Sequence, residues 1–177
     1  MNFYETQVGA VPTAYDHVRT WYAALEVQDR GGRATLRRCA DVDTVAFVPA
    51  YHDLLGRFDS GGGQPASDPQ RLARVALCAV HVKLDPKHPD LGGAHTFAAA
   101  LARGDGGAPY SELRFRRLLE SAEQQDFTTQ LRRAIDSQKG AVSLRDVAAA
   151  AFDFNPKLRT RWAHDYYRNL PKKQETK

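Results

Sequence analysis

Apolar residues in this chain recur every three or four positions and almost nowhere every second one. That period belongs to α-helices with one buried face, whereas a half-buried strand alternates from residue to residue. Tyr15, Val18, Tyr22 and Leu25 predict an amphipathic helix over 14–28, with Thr13 as its N-cap. A short helix to about Ala40 follows Asp29-Arg30-Gly31-Gly32. Phe47, Val48, Tyr51, Leu54, Leu55 and Phe58 keep the same period from Thr44 to Phe58, with a break expected near Val48 because Pro49 sits inside the run. Asp68-Pro69 opens a helix to about Lys83 that is apolar on most sides and is the expected centre of the core.

Ala94 to Arg103 reads as a short alanine-rich helix, and Gly104-Asp105-Gly106-Gly107 as a linker. Beyond it, Ser111 can cap a helix whose stripe is Phe115, Leu118, Leu119 and Ala122. Phe127, Leu131, Ala134 and Ile135 mark the next helix, which Gly140 ends. Ser143 and Asp146 approximate a capping box ahead of Leu144, Val147, Ala148, Ala151 and Phe152. Asn155-Pro156 opens the last helix, with Leu158, Trp162 and Tyr166 inward. No alternating run of β-branched residues appears. The expected fold is all-α: two small helical bundles, 1–103 and 108–177, joined by a short linker. The segments 59–67 and 85–93 are expected to be loops, and the tail from Pro171 a frayed end.

Charge bears on partners. The chain of 177 residues carries 25 basic and 21 acidic side chains, and 18 of the basic ones are arginine, the side chain best suited to phosphate. From Pro109 onward basic residues number 14 against 9 acidic; before it the counts are 11 and 12. The C-terminal half therefore favours an anionic partner. The arginines come in groups opposite apolar stripes: Arg33, Arg37 and Arg38; Arg114, Arg116 and Arg117; Arg132 and Arg133; and Lys157 with Arg159 and Arg161. One such group is a solvated helix face; four of them suggest a shared basic surface that holds phosphate backbone without reading sequence. Aromatic residues sit mostly on the apolar stripes, so backbone contact is expected over base stacking.

Little points to catalysis. There is no H-E-x-x-H, G-x-S-x-G or P-loop pattern, and the Gly61-Gly62-Gly63 loop lacks the lysine that a P-loop needs. His88 and His95, with Asp85 and Asp90, match no zinc spacing and are expected to be solvated; His81 reads as a satisfied core histidine. Cys39 and Cys78 are far apart, with Cys78 in an apolar run, so neither a disulfide framework nor a metal site is expected. No cofactor is expected. With no signal-peptide pattern and no long apolar segment, the chain reads as cytoplasmic and without a membrane partner.

Trp21, the run Gly31-Gly-Arg-Ala-Thr-Leu-Arg-Arg38, and Val48-Pro-Ala-Tyr-His-Asp-Leu-Leu55 resemble the N-terminal half of the CasB family, the small subunit of the type I-E CRISPR Cascade surveillance complex. Glu112-Leu-Arg-Phe-Arg-Arg-Leu-Leu-Glu-Ser121, Gln130-Leu-Arg-Arg133 and Arg161-Trp-Ala-His-Asp-Tyr166 resemble its second half. The resemblance implies a non-catalytic all-helical protein, present as two copies among other Cascade subunits. It also implies a role in antiviral defence: stabilising the R-loop by holding the displaced single-stranded non-target DNA beside the guide RNA–target duplex. Family basic positions fall on Arg38, Arg71, Arg114, Arg133 and Lys157; where members carry a basic pair near the last helix, this chain has Pro156-Lys157. The rival expectations are a helical adaptor whose arginine faces meet acidic proteins, and an enzyme with dispersed residues.

Overall fold

The computed structural model describes residues 13–60, 68–83, 95–121 and 123–171, and every regular element among them is helical. In chain order these are α1 (Ala14–Val27), α2 (Arg30–Arg38), α3 (Val42–Val45), α4 (Pro49–Ser60), α5 (Pro69–Ala79), α6 (Phe97–Arg103), α7 (Glu112–Glu120), α8 (Gln124–Ser137), α9 (Leu144–Phe152) and α10 (Pro156–Asn169). The all-α expectation holds. The break ahead of Pro49 falls between α3 and α4, as the fixed proline φ and missing N–H require. The loop expected over 59–67 needs correction at its start, because Asp59 and Ser60 complete α4; its remainder, the loop expected over 85–93, the tail beyond Pro171, and Ala122 lie outside the described residues.

Helix starts follow cap chemistry. Thr13 and Asp16 form a reciprocal capping box at α1, and Asp41 with Thr44 does the same at α3. Asp68 and Asn155 accept from the N3 amides of α5 and α10, each followed by proline. Two cap expectations need correction. Ser111 occupies the N-cap of α7 but makes no side-chain capping bond. Ser143 accepts from the Asp146 amide at 3.2 Å, but the Asp146 carboxylate does not reach back. It accepts instead from the Phe97 amide at 2.8 Å and from Arg161 at 3.2 Å, joining α9 to α6 and α10. Two helix limits also differ: the apolar run continues to Lys83, but α5 ends at Ala79, and α6 begins at Phe97 behind its Thr96 cap.

The centre of the molecule is α5, buried from Leu72 to Ala79, packed most closely against α9. Both helices carry small residues along the contact (Ala73, Ala76, Ala79; Ala148, Ala150, Ala151), so their backbones approach closely. On one side α1, α2, α3 and α4 pack around α5; on the other, α6 lies against α10 and α7 against α8. One continuous apolar core runs from Tyr15 to Tyr166. Cys78 is fully buried in it, and burial pushes its thiol up to about 12, so it behaves as a small apolar residue.

Gly104–Gly107 is fastened rather than loose. Gly104 closes α6 in the left-handed region at φ 77°. The Gly106 amide donates to the buried Gln138 side chain, which in turn donates to the Ala108 carbonyl. A Cβ on Gly106 would stand 1.7 Å from the Gln138 carbonyl oxygen, so only glycine fits. Gly106→Ala is therefore expected to lower stability by about 2 kcal/mol, or roughly 4–8 °C in Tm. An unchanged melting curve would contradict this packing.

Candidate nucleic-acid interface

The arginines divide into those committed to other groups in the protein and those left to solvent. Arg33 is of the first kind. It forms an ion pair with Glu26, donates to the Tyr22 hydroxyl at 2.7 Å and to the Val82 carbonyl at 3.0 Å, and lies over the Tyr22 ring. It thereby ties α2 to α1 and to the end of α5. Desolvation, reinforced by Glu26, raises the Tyr22 phenol, so it stays a neutral donor. Arg71 pairs with Asp68 at 2.9 Å and lies over Phe152. Arg159 donates to the Ser121 carbonyl at 3.3 Å and lies over Phe154; Arg161 bonds Asp146. Arg116 pairs with Glu112 on the surface of α7 at 3.2 Å.

Arg132 has an intermediate role. From α8 it donates at 3.3 Å to the carbonyls of Arg37 and of Ala40, two acceptors at the end of α2 that its own turns leave unpaired. This contact carries the last turn of α2 up against α8, so Arg37 and Arg38 stand exposed beside Arg132 and Arg133. Farther along, Tyr110 precedes α7 and is held by α6 and α10: its amide donates to the Leu101 carbonyl at 2.8 Å, and its carbonyl accepts from the Tyr166 hydroxyl. Burial is the main influence on its phenol and raises it, while the charges of Arg114 and Arg133 both oppose that shift. The side chains of Arg37, Arg38, Arg114, Arg117 and Arg133 are exposed and make no ion pair with another described residue. Lys157 is also exposed, in the first turn of α10.

Of the twelve basic side chains singled out by sequence, Arg37, Arg38, Arg132, Arg133 and Arg114 make up a basic stripe carried by α2, α8 and α7, in which Arg132 joins α8 to the end of α2. Arg33, Arg71, Arg159 and Arg161 have structural engagements that sequence spacing does not reveal. Sequence reading also passes over Arg74, whose exposure is only 7%. The available signal was an arginine one turn after Arg71 inside an otherwise apolar helix.

His81 lies beneath this stripe. It is buried and donates from Nδ1 to Asp136 at 2.9 Å, while its Nε2 has no partner. Among the described residues no group of three or more His, Cys, Asp or Glu side chains is placed to hold a metal, and no helix is long and apolar enough to cross a membrane. His95 lies near Asp105, but His88, Asp85 and Asp90 fall outside the described residues.

The structure thus defines an all-α protein with a stripe of arginine along three helices that makes no ion pair among the described residues. A family model described as CRISPR-associated protein Cse2 matches residues 32–167, and the chain belongs to that family. Two solved structures share the fold. One is a chain in the crystal structure of E. coli Cascade bound to a PAM-containing dsDNA target: 19% identity, 85% of this chain and 96% of that one covered, TM-score 0.63. The other is CasB from Thermus thermophilus: 23% identity, 90% and 99% covered, TM-score 0.61. A comparison with curated protein sequences gives no match.

The buried histidine yields a pH prediction. Desolvation lowers the His81 pKa from 6.5, outweighing Asp136, and Arg132 and Arg37 lower it further. The unfolded chain then binds the proton more readily, so stability is present above the unfolded pKa and is lost as pH falls below it. His81→Gln is expected to narrow the stability difference between about pH 5 and 7 in urea titrations. A difference equal to wild type would contradict the assignment.

Proposed function

We propose that this chain is the non-catalytic small subunit of a type I-E Cascade complex, whose arginine stripe holds nucleic-acid backbone and stabilises the R-loop. The observation that carries the proposal is the set of exposed guanidinium groups on α2, α7 and α8, facing solvent without carboxylate partners among the described residues. Family membership and a fold shared with a chain of a DNA-bound Cascade support it. Arg38, Arg114 and Arg133 are the principal contacts in this reading; Arg37, Arg117 and Arg132 extend the stripe, and Lys157 with Arg71 is a second approach. Such a surface suits the displaced single strand, because phosphate contacts position a strand without specifying its bases. Sequence reading belongs to guide pairing in such complexes.

Protein partners follow from other exposed groups. Phe47 is 87% exposed at the turn between α3 and α4, and Val27 is exposed at the end of α1, both suited to contact with other Cascade subunits or a second copy. In this reading the protein works inside the cell, where the complex meets invading DNA. The full chain should bind single-stranded DNA in a strongly salt-dependent way. Arg38→Glu and Arg133→Glu should each weaken binding and flatten the log K against log salt slope by about 0.7 or more. Fluorescence anisotropy across a salt series reads both. Unchanged slopes would favour a protein adaptor whose arginines meet acidic partners.

A further inference from the structure

A cavity of about 220 Å³ opens between the first turns of α5 and α8, the end of α9 and the first turn of α10. Its floor is Arg74. Its guanidinium donates to the Ala151 carbonyl at 3.1 Å and the Gln124 side chain at 2.7 Å, and reaches the Phe152 carbonyl at 3.5 Å. Two further guanidinium groups line the space, each laid on a ring: Arg159 over Phe154 at 4.9 Å and Arg71 over Phe152 at 5.4 Å. Phe154 is itself stacked on Phe127, with centroids 4.1 Å apart. Glu123 and Asp153 are on the lining as well.

We infer that this cavity is a nucleobase subsite: it takes one unpaired base of the strand held along the arginine stripe, stacked on a guanidinium plane. The inference rests on the backbone-binding function proposed above and adds a contact of a different kind. Three features of the cavity select a neutral planar ring. First, two of its three cations are already engaged. Arg74 is spent on carbonyls and Gln124, and Arg71 on Asp68 with Asp153 3.9 Å away. A phosphate or an acidic side chain would meet Glu123 and Asp153 with only Arg159 keeping a spare donor to offset them. Second, guanidinium planes are stacking surfaces for bases, and here Arg159 and Arg71 each lie over a phenylalanine ring. Third, the rim mixes donors and acceptors as a base edge does. The buried Arg159 Nε has no partner, the Gln124 amide nitrogen is left over once its oxygen serves Arg74, and the two carboxylates accept. The volume lies below the ~300 Å³ of drug-sized pockets, which suits a single ring system.

The cavity is also reachable from the stripe. Gln124 and Arg133 lie on α8, nine residues or roughly 13 Å apart at 1.5 Å per residue. Arg117, exposed at the end of α7, accepts at its carbonyl from Ser121, another lining residue. Aromatic side chains are scarce on the surface, and the phenylalanines serve stacking by supporting arginine rather than by touching the base.

The test compares the full chain's affinity for an oligothymidylate strand with that for an abasic sugar–phosphate strand of equal length. The intact strand should bind about fivefold or more tighter, the range of one stacked base. Arg159→Lys, which keeps the charge and removes the plane, should bring the intact strand's affinity down to that of the abasic strand. Gln124→Ala, at an exposed position, should narrow the gap in the same direction. Arg133→Gln should lower both affinities by the same factor. Equal wild-type affinity for the two strands, or a gap that survives in Arg159→Lys and Gln124→Ala, would overturn the subsite and leave backbone binding standing. Failure of wild type to bind either strand would overturn both.

Discussion

The packing of α5 on α9 is the contact on which the remaining architecture depends. Small side chains on both helices bring the backbones close, and the nearly buried Arg74 closes the end of the contact by donating to the last carbonyls of α9. A cation at a helix C-terminus also meets the favourable end of the helix dipole. A buried charge is tolerated there only because each nitrogen of the guanidinium finds an acceptor. The same side chain reaches Gln124 and so fixes where α8 begins. The register of α8 then determines where Arg132 and Arg133 emerge. The exposed stripe is thus a consequence of a buried arrangement.

Arginine does two different jobs in this chain, and exposure separates them. Arg33, Arg71, Arg74 and Arg159 join helices through carbonyls, carboxylates and aromatic rings. Arg38, Arg114 and Arg133 have no such engagement among the described residues. Arg132 belongs to both groups: by capping α2 it fastens two helices, and by doing so it brings the end of α2, with Arg37 and Arg38, up against α8. A count of basic residues overstates the surface available to phosphate; the contacts show which charges remain for a partner.

Helix type and approximate position were legible because each helix buries a continuous stripe, and the caps at Thr13, Asp68 and Asn155 use short-range chemistry visible within a few residues. The break before Pro49 was legible for the same reason. The end of α5 was not: Val80 and Val82 continue its apolar run while lying in a turn, buried by tertiary contacts instead of helix period. The role of Asp146 was also hidden, since its partners Phe97 and Arg161 lie 49 and 15 residues away. The arginine doublets stood out in sequence, but the division into structural and free members depends on long-range partners such as Val82 for Arg33 and Ala40 for Arg132.

The central claim is that the strand runs over the end of α2, the start of α7 and along α8. Amide hydrogen exchange of the full chain, with and without saturating single-stranded DNA, tests it most directly. The account predicts slowed exchange at the end of α2, the start of α7 and the middle of α8, with α1 and α4 unchanged. Protection confined to α1 and α4, or none at saturation, would contradict it.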